Sequence, residues 1–179
     1  YHSGVRNTID NAILACKTMP GRETHYSALL TQYQKADEIP FDYARKFIST
    51  LVRDIDGECQ LIMKGDIGHI VSRCSHVEYR GKILPIEKDG MQSVSSVVDD
   101  MLQEGMKVIA IARKNVGHQR EITPADEFNM TLVGYLSFFD APKQTAKESV
   151  AALKRLKVTP KILTGDQAAI AVSVCHRVG

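Results

Sequence analysis

The chain has 179 residues, 44% of them hydrophobic and 25% charged, which suits one domain with its own core, or one domain plus part of a second. That balance excludes a disordered tail, a collagen-like fibre and a coiled-coil rod. With 23 basic and 21 acidic residues the net charge is +2, so nothing in it marks nucleic acid or anionic lipid as a partner.

The elements follow in chain order. Ile9, Ala12, Ile13 and Cys16 fall on one face of a helix expected over 7–17. A second helix follows Pro20-Gly21, with Tyr26, Leu29, Leu30 and Tyr33 at the spacing of one buried stripe. It is expected to dissolve into Lys35-Ala36-Asp37-Glu38, and Pro40 forces Ile39 to be extended. Residues 46–52 read as a strand, 54–57 as a turn and 58–63 as a returning strand. A short helix is expected over 66–74 and a smaller hairpin over 77–86, turning at Arg80-Gly81. Met91, Val94, Val98, Met101 and Leu102 line a helix over 91–103, which Gly105 stops. Residues 107–113 read as a strand, 115–126 as a polar loop and 131–139 as another strand.

The pattern changes near Asp140-Ala141-Pro142. Upstream, hairpins and helices mix as in an antiparallel α+β sheet flanked by helices. Downstream the order is a strand, a helix over 143–156, a strand over 161–163 and a helix over 167–177, which suggests a parallel α/β piece. The division expected is therefore 1–137 and 138–179. The downstream piece has too few strands for a whole doubly wound domain. The chain starts at Tyr1 and stops at Gly179 after a helical pattern, so a fragment of a longer protein is expected.

The four cysteines, at 16, 59, 74 and 175, form no CxxC pair and read as reduced cytosolic thiols. No signal peptide is recognisable, and no run approaches the roughly 20 apolar residues of a membrane span. Cys74 and His76, with His69 nearby, match no zinc spacing and supply too few ligands, so no metal site is expected. There is no GxxxxGK[ST] loop, GxSxG elbow or GxGxxG fingerprint.

Three places carry candidate chemistry. Thr164-Gly165-Asp166 stands between a short apolar run and a helix, where free N–H groups suit a phosphate, although taken alone Asp166 is more ordinarily that helix's cap. Phe41, with Arg45 and Lys46 close behind, suits a base that stacks while cations draw in phosphate, although taken alone a core residue entering a strand is the more ordinary reading. Lys64-Gly65 ends a strand, where a glycine admits a ligand close to the backbone, although taken alone an ordinary strand-ending turn with a solvated Lys is the more common reading. Lys107 is a strand start, a complement to a helix C-terminus or a phosphate contact.

Each signal alone has an ordinary structural explanation; their order along the chain does not. "GVRNTIDNAIL" (4–14), "IPFDYARKFIS" (39–49), "MKGD" (63–66), "GMKVIAIARK" (105–114), "FFDAPK" (138–143) and "KILTGD" (161–166) resemble the cytoplasmic region of P-type ATPases. The "NxxDxAIL" start, the "IPFD" segment and the closing "KILTGD…VCHRVG" are similar to the bacterial magnesium-transporting group.

The resemblance implies a nucleotide-binding domain over 1–137 and the start of the second half of a phosphorylation domain over 138–179. It implies that Phe41 stacks on adenine, that Lys46, Lys64 and Gly65 line the adenine pocket, and that Asp10 lies near the adenine amino group. Lys107 falls at a phosphate-reaching position, Asp140 at a hinge near the ribose, and Thr164, Gly165 and Asp166 in the loop that meets the γ-phosphate and Mg²⁺. ATP with Mg²⁺ is the implied ligand. The implied partners are the phosphorylation, actuator and transmembrane domains of a transporter, with this piece on the cytoplasmic side of the plasma membrane. The phosphorylated aspartate of DKTGT and the later GDGxND motif are not in the sequence, so the fragment alone is expected not to hydrolyse ATP.

Three departures accompany the resemblance: Asp66 where Lys-Gly-Ala is usual, Asp-Ala-Pro-Lys at the hinge in place of Asp-Pro-Pro, and Tyr43 where some relatives carry a basic residue. Asp66 would repel phosphates unless it points away. Two rival readings stand beside this one: a phosphatase of the haloacid-dehalogenase type, which lacks its DxDx[TV] loop here, and a regulatory module with a degenerate pocket.

Overall fold

The computed structural model describes residues 8–15, 28–29, 31–86, 88–139, 142–165 and 168–179. Its elements are α1 (Thr8–Ala15), β1 (Tyr33–Ile39), β2 (Phe47–Asp54), β3 (Cys59–Asp66), α2 (Ile67–Val71), β4 (Cys74–Tyr79), β5 (Lys82–Pro85), α3 (Lys88–Gln103), β6 (Met106–Gly117), a 3-10 turn (Pro124–Asp126), β7 (Met130–Phe139), α4 (Ala146–Arg155) and α5 (Ala168–Val178). The strands form a seven-stranded sheet in the order β1-β2-β3-β6-β7-β4-β5. The fold is α+β, as expected. The sheet is mixed, because β4 runs parallel to β7, with Cys74 opposite Met130 and Val77 opposite Leu132.

The sheet is built on the β2–β3 hairpin. Residues alternate across a strand, so Phe47, Ser49 and Leu51 share one face. In register they meet Gly65, Met63 and Leu61 of β3, and β3 in turn sets Ala110 and Ala112 of β6 against Gly65 and Met63. All of these side chains apart from Gly65 are buried. Ile70 of α2, Ile122, Met130 and Leu132 complete that core. Burying such an apolar side chain contributes about 1.5–3 kcal/mol. At the far edge β4 and β5 turn through Arg80 and Gly81, with φ of 50° and 75°. Two successive positive φ angles suit the two-residue turn that matches strand twist.

The chain divides into two compact units: Tyr1–Ile86 with Ile109–Leu136, and Glu87–Val108 with Ser137–Gly179. In the second unit α3 stops at Gly105, whose φ is +83°. The exposed last-turn carbonyl of Glu104 accepts hydrogen bonds from Ser173 Oγ (3.3 Å) and Arg177 Nη2 (2.7 Å) of α5. These partners satisfy a helix end that would otherwise rely on water.

Besides the antiparallel sheet that proves mixed, three expectations need correction. The helical stripe ends before Tyr33: residues 28–29 and 31–32 are helical, but Tyr33–Ile39 is β1. There, pairing with β2 overrides the poor strand propensity of Lys35-Ala36-Asp37-Glu38, with an irregularity between Lys35 and Asp37. No strand forms at 161–163; Leu163 is 98% exposed, and two apolar residues after Pro160 find no neighbouring strand among the described residues. The expected parallel pairing therefore does not occur there, while the two flanking helices form as α4 and α5. The expected polar loop over 115–126 begins as strand, because β6 runs on to Gly117. Tyr26, Leu30 and Cys16 lie outside the described residues.

Candidate functional site

Phe41 is not a core residue. The residue is 52% exposed on the segment between β1 and β2, its ring edge-to-face with Tyr43 at 5.4 Å between centroids. Tyr43 is itself 89% exposed. The segment is stiffened locally. The Asp42 carboxylate accepts the Ala44 N–H at 2.6 Å, and the Asp42 carbonyl accepts the Lys46 N–H, also at 2.6 Å. The turn closes on Lys46, whose φ is 57°. A non-glycine residue in that region costs about 1–3 kcal/mol and persists only where its surroundings hold it. Here the Lys46 carbonyl accepts the Asp66 N–H at 2.9 Å.

Gly65 is explained by the same closure. It pairs with Phe47, and a β-carbon on it would collide with the Lys46 carbonyl and with Phe47. Only glycine lets β3 approach the turn so closely.

Lys64 points to the opposite face of the hairpin, opposite Ile48 in register. It forms an ion pair with the buried carboxylate of Asp10 from α1. With Ile48, Thr50, Val52 and Ile62 it lines a cavity of about 80 Å³. That volume takes part of a ligand; a pocket enclosing a whole one holds roughly 300–1,000 Å³.

Asp66 caps α2, accepting from the His69 N–H at 3.2 Å and pairing with His69 Nδ1 at 2.7 Å. Burial raises its pKa, but the His69 hydrogen bonds and charge, with the Lys46 charge, outweigh that and hold it below the ordinary carboxylate value. Its carboxylate is thus taken up by the helix end.

In the first unit the β2–β3 hairpin carries Lys64 and Gly65, Lys46 immediately precedes it with Phe41 on the same lead-in, and Asp10 reaches Lys64 from α1. Lys107, the second residue of β6, and Thr164 and Gly165, in an irregular stretch, belong to the second unit. Asp140 and Asp166 lie outside the described residues. Among the described residues no three His, Cys, Asp or Glu side chains converge as a metal set. Cys74 Sγ donates to the Ile70 carbonyl at 3.2 Å, and His76 Nδ1 lies 2.9 Å from Ser75 Oγ.

Sequence reasoning missed Glu127. It is 1% exposed, forms an ion pair with Arg45 and accepts a 2.6 Å hydrogen bond from Ser49 Oγ. Nothing local marks it: its partners are 82 and 78 residues away in sequence.

Comparison with known proteins adds the family. A family described as "P-type ATPase, cytoplasmic domain N" matches residues 4–145. The chain is 36% identical over 180 residues to "Magnesium-transporting ATPase, P-type 1" of Escherichia coli strain K12, covering 100% of this chain and 20% of that protein. Its identity to the protein of the same name from Salmonella typhimurium strain LT2 is also 36%, with the same coverage. It is 26% identical over 155 residues to "Calcium-transporting ATPase 1" of Lactococcus lactis, covering 86% of this chain and 18% of that protein. The chain thus spans 20% of the length of the magnesium-transporting relatives it matches. The match over residues 4–145, together with 36% identity along the whole chain, shows that this chain belongs to the P-type ATPase family through its cytoplasmic N domain.

Proposed function

We propose that this chain holds ATP for a cation-transporting P-type ATPase, with magnesium as the transported ion. The observation that carries the reading is Phe41: a half-exposed ring on a stiffened turn, five residues ahead of Lys46. A ring that the core does not use is available for stacking on a base, an interaction of about 1–3 kcal/mol.

In this reading Phe41 stacks on adenine. Lys46 and Lys64 supply positive charge beside it, Gly65 keeps the backbone close, and Asp10 orients Lys64 and accepts from the adenine amino group. Lys107 reaches toward the phosphates, Asp140 acts at the hinge near the ribose, and Thr164, Gly165 and Asp166 meet the γ-phosphate and its Mg²⁺. Mg²⁺ neutralises the triphosphate. Phosphoryl transfer asks mainly for positioning and charge neutralisation, so a domain that grips the base is free to deliver the γ-phosphate to an aspartate elsewhere.

Residues 1–137 are assigned to nucleotide binding and 138–179 to part of the phosphorylation domain. The partners are the phosphorylation, actuator and membrane domains of the transporter, which places this piece at the cytoplasmic face of the plasma membrane. Alone it binds ATP without hydrolysing it. Among the described residues no helix is long and apolar enough to cross a membrane.

The test is an NMR titration of the chain with millimolar ATP, beside Phe41→Ala. Saturable shifts in the unsubstituted chain, weakened about 5- to 150-fold by the substitution, are expected from the stacking energy. A folded chain without saturable shifts would overturn the reading.

A further inference from the structure

We infer that Arg45, clamped by Glu127, is a positioning residue that sets the turn presenting Phe41 and Lys46 to the nucleotide. The inference rests on the ATP-holding reading.

Arg45 sits inside the turn, four residues after Phe41 and one before Lys46. Its guanidinium reaches away from the turn's exposed side. Nη2 pairs with Glu127, Nη1 lies 3.4 Å from the Pro40 carbonyl at the turn's start, and Cζ stands 4.6 Å from the Phe47 ring centroid. A single side chain thus touches the residue before Phe41, the residue after Lys46 and an anchor 82 residues away.

The anchor is itself fixed. Lys114 of β6 donates to the carbonyls of Asp126 and Phe128, on either side of Glu127. Ser49 of β2 holds the Glu127 carboxylate at 2.6 Å. Arg73 lies over both the Phe128 ring (4.2 Å) and the Phe47 ring (5.7 Å).

A buried carboxylate requires charged or hydrogen-bonding partners, so Glu127 constrains where Arg45 can be. Arginine's planar fork reaches Glu127 through one terminal nitrogen and the Pro40 carbonyl through the other, a fixed span that lysine's single ammonium nitrogen does not offer. Phe41 touches the core little, and Lys46 holds a costly backbone angle. The Asp42 and Asp66 hydrogen bonds hold the turn's backbone, and the Arg45–Glu127 pair adds a side-chain restraint that ties it to the segment ahead of β7.

The experiment uses the full chain with ATP and adenosine as probes. Arg45→Ala combined with Glu127→Gln removes both charges together, so no unpaired buried charge is left to unfold the protein; Arg45→Lys keeps the charge but not the fork. Both variants are expected to bind ATP and adenosine about tenfold more weakly, the scale of one charge-assisted hydrogen bond. Hydrogen exchange at the Lys46 and Asp66 amides should speed up, while the spectrum of the sheet beyond the turn stays as in the unsubstituted chain. Unchanged affinity with unchanged exchange at those two amides would overturn the inference. So would weakened binding accompanied by faster exchange across the whole sheet, which marks a role in folding alone. If the unsubstituted chain binds neither probe, the ATP-holding reading fails, and this inference falls with it. If it binds both and the variants match it, only this inference fails.

Discussion

Gly65 lies directly opposite Phe47 in the β2–β3 ladder, so close that a β-carbon on Gly65 would stand 2.5 Å from the Phe47 Cα. The obstacle is backbone, which cannot swing aside as the tip of a flexible side chain would. Gly65→Ala is therefore expected to cost about 1–3 kcal/mol, as overpacking does. At about 2–4 °C per kcal/mol for a chain of this size, the melting midpoint should fall by several degrees. An unchanged midpoint in thermal unfolding would show that the hairpin opens there without cost.

How far the fold and the site could be read from sequence follows from range. The β2–β3 hairpin was legible because its signals are local: a β-branched run, Asp54 to Gly57 as a turn, and a return strand. The edge strand β1 was not, since its Lys, Asp and Glu residues take up strand geometry only because β2 pairs with them. The strand expected at 161–163 failed for the converse reason, an apolar run without a neighbour. In the site, Phe41, Lys46 and Lys64-Gly65 were legible as residue types, but Phe41 alone read more readily as core until its exposure was known. Glu127 was invisible because burial and pairing across 82 residues leave no local trace.

Acid should weaken the start of α2. In the folded chain the Asp66 carboxyl is held below its unfolded value of 3.8. Its contribution to stability is thus present above that value and is lost as pH falls through the folded pKa. The gap between the melting midpoints of the unsubstituted chain and of Asp66→Asn should be present above that value and shrink as pH falls below it, through the folded pKa. A gap that stays constant over that range would mean that the His69 pairing does not depend on the Asp66 charge.

Thiol labelling should discriminate between the cysteines. Burial pushes the Cys74 thiol up to about 11, so almost none is thiolate near neutrality, and the thiolate is the reactive form. Cys59 is buried, whereas Cys175 is exposed on α5. With a maleimide at about pH 7.5, peptide mass spectrometry should find Cys175 modified well before Cys59 and Cys74. Equal rates at Cys74 and Cys175 would indicate that the region around α2 and β4 opens readily.

The central claim is that the exposed ring of Phe41 is the surface on which adenine rests. Nuclear Overhauser effects between the adenine H2 and H8 protons of ATP and the aromatic ring protons of this chain, at saturating nucleotide, test it most directly. The account predicts cross-peaks from adenine to the Phe41 ring that disappear in Phe41→Ala. Saturable ATP binding whose adenine cross-peaks fall only on residues away from Phe41 would contradict it.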